Sequence, residues 1–177
     1  MDIRKWPKAI GKTASMSEFL QQPAESVDVL VSQSILWENI IQGEMLADDL
    51  LSQVHQSLRP GGVWYFTEML PQDFPAHWLY RFLPSAWQWV KTNTWTVYTF
   101  YNHLLSAGFK VEIKRYAFYQ PISTMTAQNL LQTYPGFANS LTDNAVKHAI
   151  ERLNAVNNQT DMLPSEFTII EGWAQKQ

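Results

Sequence analysis

The sequence predicts an α/β fold built on a parallel sheet, and three consecutive segments predict it. Residues 27–34 (VDVLVSQS) are apolar at both odd and even positions, which suits a strand covered on both faces. From about Glu44 to Leu58, Leu46, Leu50, Val54 and Leu58 recur every fourth residue, and Ala47 and Leu51 widen the same stripe, as on an amphipathic helix. That helix has to stop at Arg59-Pro60-Gly61-Gly62, because proline cannot continue it and the glycines allow a tight turn. An apolar strand, VWYFTE over 63–68, follows at once. Strand, helix, turn and strand make a βαβ crossover, which pairs its two strands in parallel.

The flanking segments fit around that unit. Residues 9–20 read as a strand and turn. Residues 71–93 hold three prolines and three tryptophans in no regular period, which suggests a lid-like insertion at the sheet's edge. Thr94 suits an N-cap for a helix through Leu105, and Gly108 suits its stop. FKVEIKRYAF, residues 109–118, alternates Phe109, Val111 and Ile113 with charged neighbours, as a strand with one wetter face does. Helices fit Ala127–Thr133 and Thr142–Asn154, and a last strand fits residues 166–174. With no repeats, linkers or low-complexity tracts, residues 1–177 form one domain.

Composition excludes several function classes. A net charge of -3, with scattered basic residues, lacks the clustered positive footprint that a nucleic-acid partner requires. The absence of cysteine excludes disulfides, thiol nucleophiles and thiolate metal sites. The four histidines have no i, i+3 or i, i+4 pair, which argues against a metal site. No apolar run reaches the ~18 residues of a membrane helix, and no hydrophobic stretch follows the charged N-terminus. A soluble cytoplasmic protein without a membrane partner is therefore expected.

Three motifs in order sharpen the reading. They are Ser26 to Ser34, Leu58-Arg59-Pro60-Gly61-Gly62, and Ala107-Gly108-Phe109 running into Val111 and Ile113. Together they resemble the fourth strand, the turn before strand five, and the turn into strand six of class I S-adenosylmethionine-dependent methyltransferases. Gln33-Ser34-Ile35-Leu36-Trp37, Leu130-Leu131-Gln132-Thr133-Tyr134 and Gly172-Trp173-Ala174 are similar to segments of the trans-aconitate type within that family, although Leu36 stands where histidine is usual. The resemblance covers residues 6–175. It implies a truncated Rossmann-like sheet, mostly parallel with an antiparallel strand near the C-terminus, flanked by helices. It also implies methyl transfer from S-adenosylmethionine to a small organic molecule, a carboxylate among the candidates.

The resemblance implies site residues too. Ala14, Ser15 and Met16 match the loop after strand three, beside the cofactor's adenine. Gln33 and Ser34 match the loop after strand four, near its amino-acid end; a plain structural role, capping a strand, suits both equally well. Trp37, Glu68, Trp87 and Trp89 are candidates for the substrate pocket, with Trp37 equally suited to the core and Glu68 to a solvated strand end. His77 and His103 flank the aromatic block and are the candidates for a catalytic base. The block itself (Trp78, Tyr80, Phe82, Trp87, Trp89 and Trp95, with Tyr98 and Tyr101) could cover an acceptor, form a dimer interface or fill a core.

The sequence departs from the family at one decisive place. It contains no Gly-x-Gly, and only glycine lets backbone approach a ligand as closely as the donor-binding loop must. The chain resembles the C-terminal part of the family, without its glycine-rich motif, so by itself it is expected to hold S-adenosylmethionine poorly or not at all. A non-catalytic binding or dimerisation module derived from the same fold is the alternative. In the family, strand four lies beside strand one, so Val27–Gln33 becomes a bare apolar edge. Such an edge seeks a second copy, a separate partner chain, or the chain's own N-terminal residues.

Overall fold

The computed structural model describes residues 16–19, 21–35, 47–70, 72, 76–133, 143–157 and 162–177. The elements run α1 (Met16–Phe19), β1 (Val27–Gln33), α2 (Ala47–Ser57), β2 (Leu58–Met69), α3 (Trp78–Phe82), α4 (Pro84–Asn93) and α5 (Val97–Ser106). Then come β3 (Phe109–Tyr119), β4 (Ile122–Ser123), α6 (Thr124–Thr133), α7 (Asp143–Asn157), β5 (Met162–Leu163) and β6 (Glu166–Lys176).

Four strands form the main sheet in the order β1-β2-β6-β3. β1 and β2 pair in parallel, as the βαβ pattern requires. β6 enters between β2 and β3 and is antiparallel to both, so the other three strands share one direction. The mixed open sheet, with its antiparallel strand at the C-terminus, is the one expected.

Among the described residues one face of this sheet is covered and the other is largely open. Trp64 and Phe66 of β2, Phe109 of β3, and Ile170 and Ala174 of β6 pack under Leu50, Leu51 and Val54 of α2 and Phe100 and Leu104 of α5. Trp64 is fully buried and meets Phe66, Phe100 and Phe109 at ring-centroid distances of 4.9, 6.3 and 6.5 Å. On the opposite face Val31 is 74% exposed, and Val29, Tyr65, Tyr116 and Phe118 are exposed beside it. The expectation that β1 is covered on both faces is therefore corrected. Apolar residues at both parities record what the strand would bury, and α2 and α5 supply cover on one side only.

Arg59-Pro60-Gly61-Gly62 does not end the helix in a free turn; it forms a bulge inside β2. Leu58 already pairs with Val27, and the ladder resumes only at Val63 opposite Val29. Gly61 has φ +77°, and a Cβ on Gly62 would lie 2.8 Å from the Arg59 carbonyl oxygen. Arg59 ties the bulge to β1, donating from Nη1 to both Asp28 carboxylate oxygens at 2.9 and 3.0 Å and from Nε to the Glu25 carbonyl at 3.2 Å. Both side chains are more than half exposed. Arg59→Ala should thus cost less than about 1 kcal/mol, less still in high salt, as a urea melt would measure.

Residues 78–93 form α3 and α4, and their buried side chains do not join the sheet's core. Trp78, Leu79, Tyr80, Phe82, Leu83, Ala86 and Val90 pack with Ala127 and Leu131 of α6, Ala149 and Leu153 of α7, and Leu163 of β5. Local capping also differs from expectation. Thr96, not Thr94, caps α5, accepting from the Thr99 amide, while Thr94 is buried and donates its hydroxyl to the Val90 carbonyl at the end of α4. Thr94 and Thr96 both flank the helix start, and only the path of the preceding α4 chooses between them. The strand and turn expected over 9–20 fall mostly outside the described residues, and 16–19 are helical.

Candidate functional site

In an open α/β sheet, ligands meet the chain beyond the carboxyl ends of the parallel strands. Here those are the ends of β1 and β2. Gln33 pairs with Thr67, and the next residue, Ser34, turns the chain out of the strand with φ +54°, uncommon for a residue carrying a Cβ. The Ser34 amide donates to the Thr67 carbonyl oxygen at 2.8 Å, which holds that turn against β2. Just before Gln33, the Trp64 indole N–H donates to Ser32 Oγ at 2.8 Å, so the main core aromatic also anchors the end of β1. Ser32, Trp64 and Thr67 thus support the turn that presents Gln33 and Ser34. None of the three stands out in the sequence, since nothing in local pattern reveals a bond across 32 residues.

Glu68 lies on the covered face, opposite Ile170 of β6, and is fully buried. A solvated strand end, the plain alternative for this residue, does not describe it. The alternation Trp64, Phe66, Glu68 carries this information in the sequence, because residues two apart share a face.

The other candidates lie elsewhere. His77 is the N-cap of α3, where its Nδ1 accepts from the Leu79 amide at 3.4 Å. Burial holds its imidazole at a pKa of about 4, well below the ordinary value. Its ring lies 5.7 Å from both Trp78 and Tyr80, and burial pushes the Tyr80 hydroxyl pKa upward. His103, in the last turn of α5, donates from Nδ1 to the Asp48 carboxylate of α2 and stacks on Trp95 at 4.3 Å. It therefore bridges the two helices that cover the sheet. Trp87 and Trp89 are half-buried against the second core, Trp87 with its ring 4.9 Å from Tyr80. His55 packs edge-on against Phe109 at 5.1 Å, its pKa lowered by burial and by Lys176. Ala14, Ser15 and Trp37 lie outside the described residues, and Met16 begins α1.

The structure thus brings Gln33, Ser34 and Glu68 to adjoining strand ends and gives both histidines ties to helices. A shallow groove of about 410 Å³, lined by Thr96, Val97, Tyr98, Tyr101, Ile113 and Arg115, shares no residue with that set. Among the described residues no group of three acidic, histidine or cysteine side chains could hold a metal ion. No described helix is long and apolar enough to cross a membrane.

This strand order, with β6 reversed between β2 and β3, decides the fold. It is a class I methyltransferase fold. A protein of Bacillus halodurans C-125, BH2331, provisionally described as a methyltransferase, matches at a TM-score of 0.53 and 11% identity, over 89% of this chain and 74% of that one. A protein of Anabaena variabilis, provisionally described as a methyltransferase from an antibiotic biosynthesis pathway, gives 0.56 and 14%, over 85% and 68%. YcgJ of Bacillus subtilis gives 0.52 and 12%, over 89% and 67%. No protein-family model and no curated protein sequence matches the chain. At these identities the likeness concerns the fold alone.

The methyl donor of this fold, S-adenosylmethionine, can be tested against the residues present. Its methionine end needs a backbone cradle of the Gly-x-Gly kind. The seven glycines include no such pair. The described ones serve other ends: Gly61 and Gly62 shape the bulge, Gly108 closes α5, and Gly172 lies beneath Phe66. Among the described residues no glycine is placed to form that cradle.

Proposed function

We propose that the chain carries the acceptor side of an S-adenosylmethionine-dependent methyltransferase for a small organic molecule, with the donor cradle coming from outside these residues. The observation that carries this reading is the turn at Ser34, fixed to Thr67 and placed at the carboxyl ends of two parallel strands in a methyltransferase sheet. Gln33 and Ser34 offer an amide and a hydroxyl there, suited to orienting a polar ligand. Both candidate bases have Nδ1 committed to holding helices. A carboxylate acceptor is already ionised and needs no base, so positioning can supply most of its rate.

Titration calorimetry of the chain with S-adenosylmethionine should show nothing tighter than roughly millimolar, ~4 kcal/mol. Micromolar binding would overturn the deficit. Joining a strand-and-loop segment that carries Gly-x-Gly should then raise the affinity, and Ser34→Pro, which removes the amide bonded to Thr67 and cannot adopt φ +54°, should abolish the gain. A chimera that folds and gains nothing would refute the acceptor-side reading.

A further inference from the structure

Among the described residues β1 is the end strand of the main sheet, and Val31 at its middle is 74% exposed. Such edges are usually guarded by proline, lysine, a bulge or a covering segment. Residues 27–33 contain no proline, lysine or glycine, and their one charged side chain, Asp28, is paired with Arg59. The irregularity beside them lies in β2, where Leu58 and Val63 face Val27 and Val29.

The direction of the backbone groups can be read from the flanks. The amides of Ser26 and Ser34 donate to Ser57 and Thr67, both in the neighbouring chain segment that ends in or includes β2. Even-numbered groups along β1 therefore face β2, and Val27, Val29, Val31 and Gln33 aim their N–H and C=O groups at the open edge.

We propose that β1 pairs antiparallel with β1 of a second copy, about a two-fold axis through Leu30, which joins two four-stranded sheets into one. In this register Val29 of one copy lies opposite Val31 of the other, and both present outward backbone groups, as a hydrogen-bonded antiparallel pair requires. With Val27 opposite Gln33 the contact gains about eight backbone hydrogen bonds. Leu30 meets Leu30 of the copy on the axis. Asp28 meets Ser32, whose Oγ already accepts from Trp64 and so keeps its own proton to donate to the facing carboxylate. Arg59 neutralises Asp28, so no bare charge is carried into the contact.

A shift of two residues either way sets Leu30 opposite Ser32 or Asp28. The register centred on Leu30 matches apolar with apolar and polar with polar, leaving only the outermost pair, Val27 with Gln33, mixed. That self-complementarity singles out a second copy as the occupant, since a two-fold axis makes each residue serve both sides. The pairing is independent of the methyl-transfer reading. It is the form the chain takes by itself, and any other strand added at this edge has to displace the copy.

Sedimentation equilibrium of the purified full chain over a hundredfold range of concentration tests it. The expected mass is twice that of one chain. Val31→Lys replaces a side chain that is already mostly exposed, so the variant should fold with unchanged circular dichroism yet sediment as a single chain. Val31→Pro removes only an outward N–H and should do the same. Hydrogen exchange gives a second readout: the Val29 and Val31 amides should exchange at least a hundredfold more slowly in the parent than in Val31→Lys. A parent that sediments as one chain at every concentration overturns the proposal, whether those amides are protected or not. So does a Val31→Lys variant that remains a dimer with the Val29 amide protected. None of these measurements uses a methyl donor, so their failure is distinct from failure of the proposed function.

Discussion

Gly172→Ala should destabilise the protein by about 3 kcal/mol, among the largest effects of any one-carbon change in this chain. Gly172 sits in β6, the strand that bridges β2 and β3, with Phe66 opposite on one side and Ile113 on the other. A Cβ built there would lie 2.5 Å from the Glu112 carbonyl oxygen and 2.7 Å from Cζ of Phe66. Neither neighbour can yield cheaply. The carbonyl belongs to the β3 ladder, and the Phe66 ring is packed between Trp64 and Phe100 at 4.9 and 5.3 Å. The glycine's φ is not the issue, since it carries no positive φ; the lack of room is. Phe66→Leu in the Gly172→Ala background should recover part of the loss by removing the ring contact, while the carbonyl contact remains. Urea melts of the four proteins give the coupling, and strict additivity of the two changes would show that the ring is not what the added methyl meets.

Alternation placed Val111 and Ile113 on the inner face of β3, and periodicity placed Leu50, Leu51 and Val54 under the sheet; all of these belong to or pack on the main core. The βαβ unit was legible because its signals are local: a stripe, a stop and an apolar run. What sequence could not give was the number of covered faces. Val29 and Val31 look the same in sequence whether helices cover them or water does. The partition into two cores was equally hidden, because the tryptophans of 78–93 find α6 and α7, which follow more than thirty residues later. At the strand-end site, the motif marked Gln33 and Ser34, but their supports are non-local. Trp64 reaches Ser32 through tertiary packing, and His103 acquires Asp48 only because α2 and α5 lie side by side. Side-chain chemistry was visible at single positions, whereas each partner had to wait for the fold.

Acid should weaken the protein more steeply than its carboxylates alone would cause, and His77 is the reason. Its Nδ1 accepts the Leu79 amide, a bond that only the unprotonated nitrogen can make, so the α3 cap depends on a neutral ring. Burial holds its pKa at about 4 in the folded chain, against 6.5 for the free side chain. Between those values the unfolded chain takes up a proton that the folded chain refuses, so stability falls as the pH drops from 6.5 towards 4 and is unaffected above 6.5. The gap is worth about 2–3 kcal/mol, allowing for the ring's partial exposure. His77→Asn provides the control. Asparagine is a good N-cap that does not titrate, so the variant keeps the cap and should lose this part of the pH dependence. Carboxylates also begin to titrate in this window, and they do so in both proteins; the difference between the two stability–pH curves isolates the histidine. The parent should lose about 2–3 kcal/mol more than His77→Asn between about pH 7 and pH 4 in urea melts. Curves that run parallel across that range would mean that His77 can charge in place, and that the cap on α3 does not depend on its neutral form.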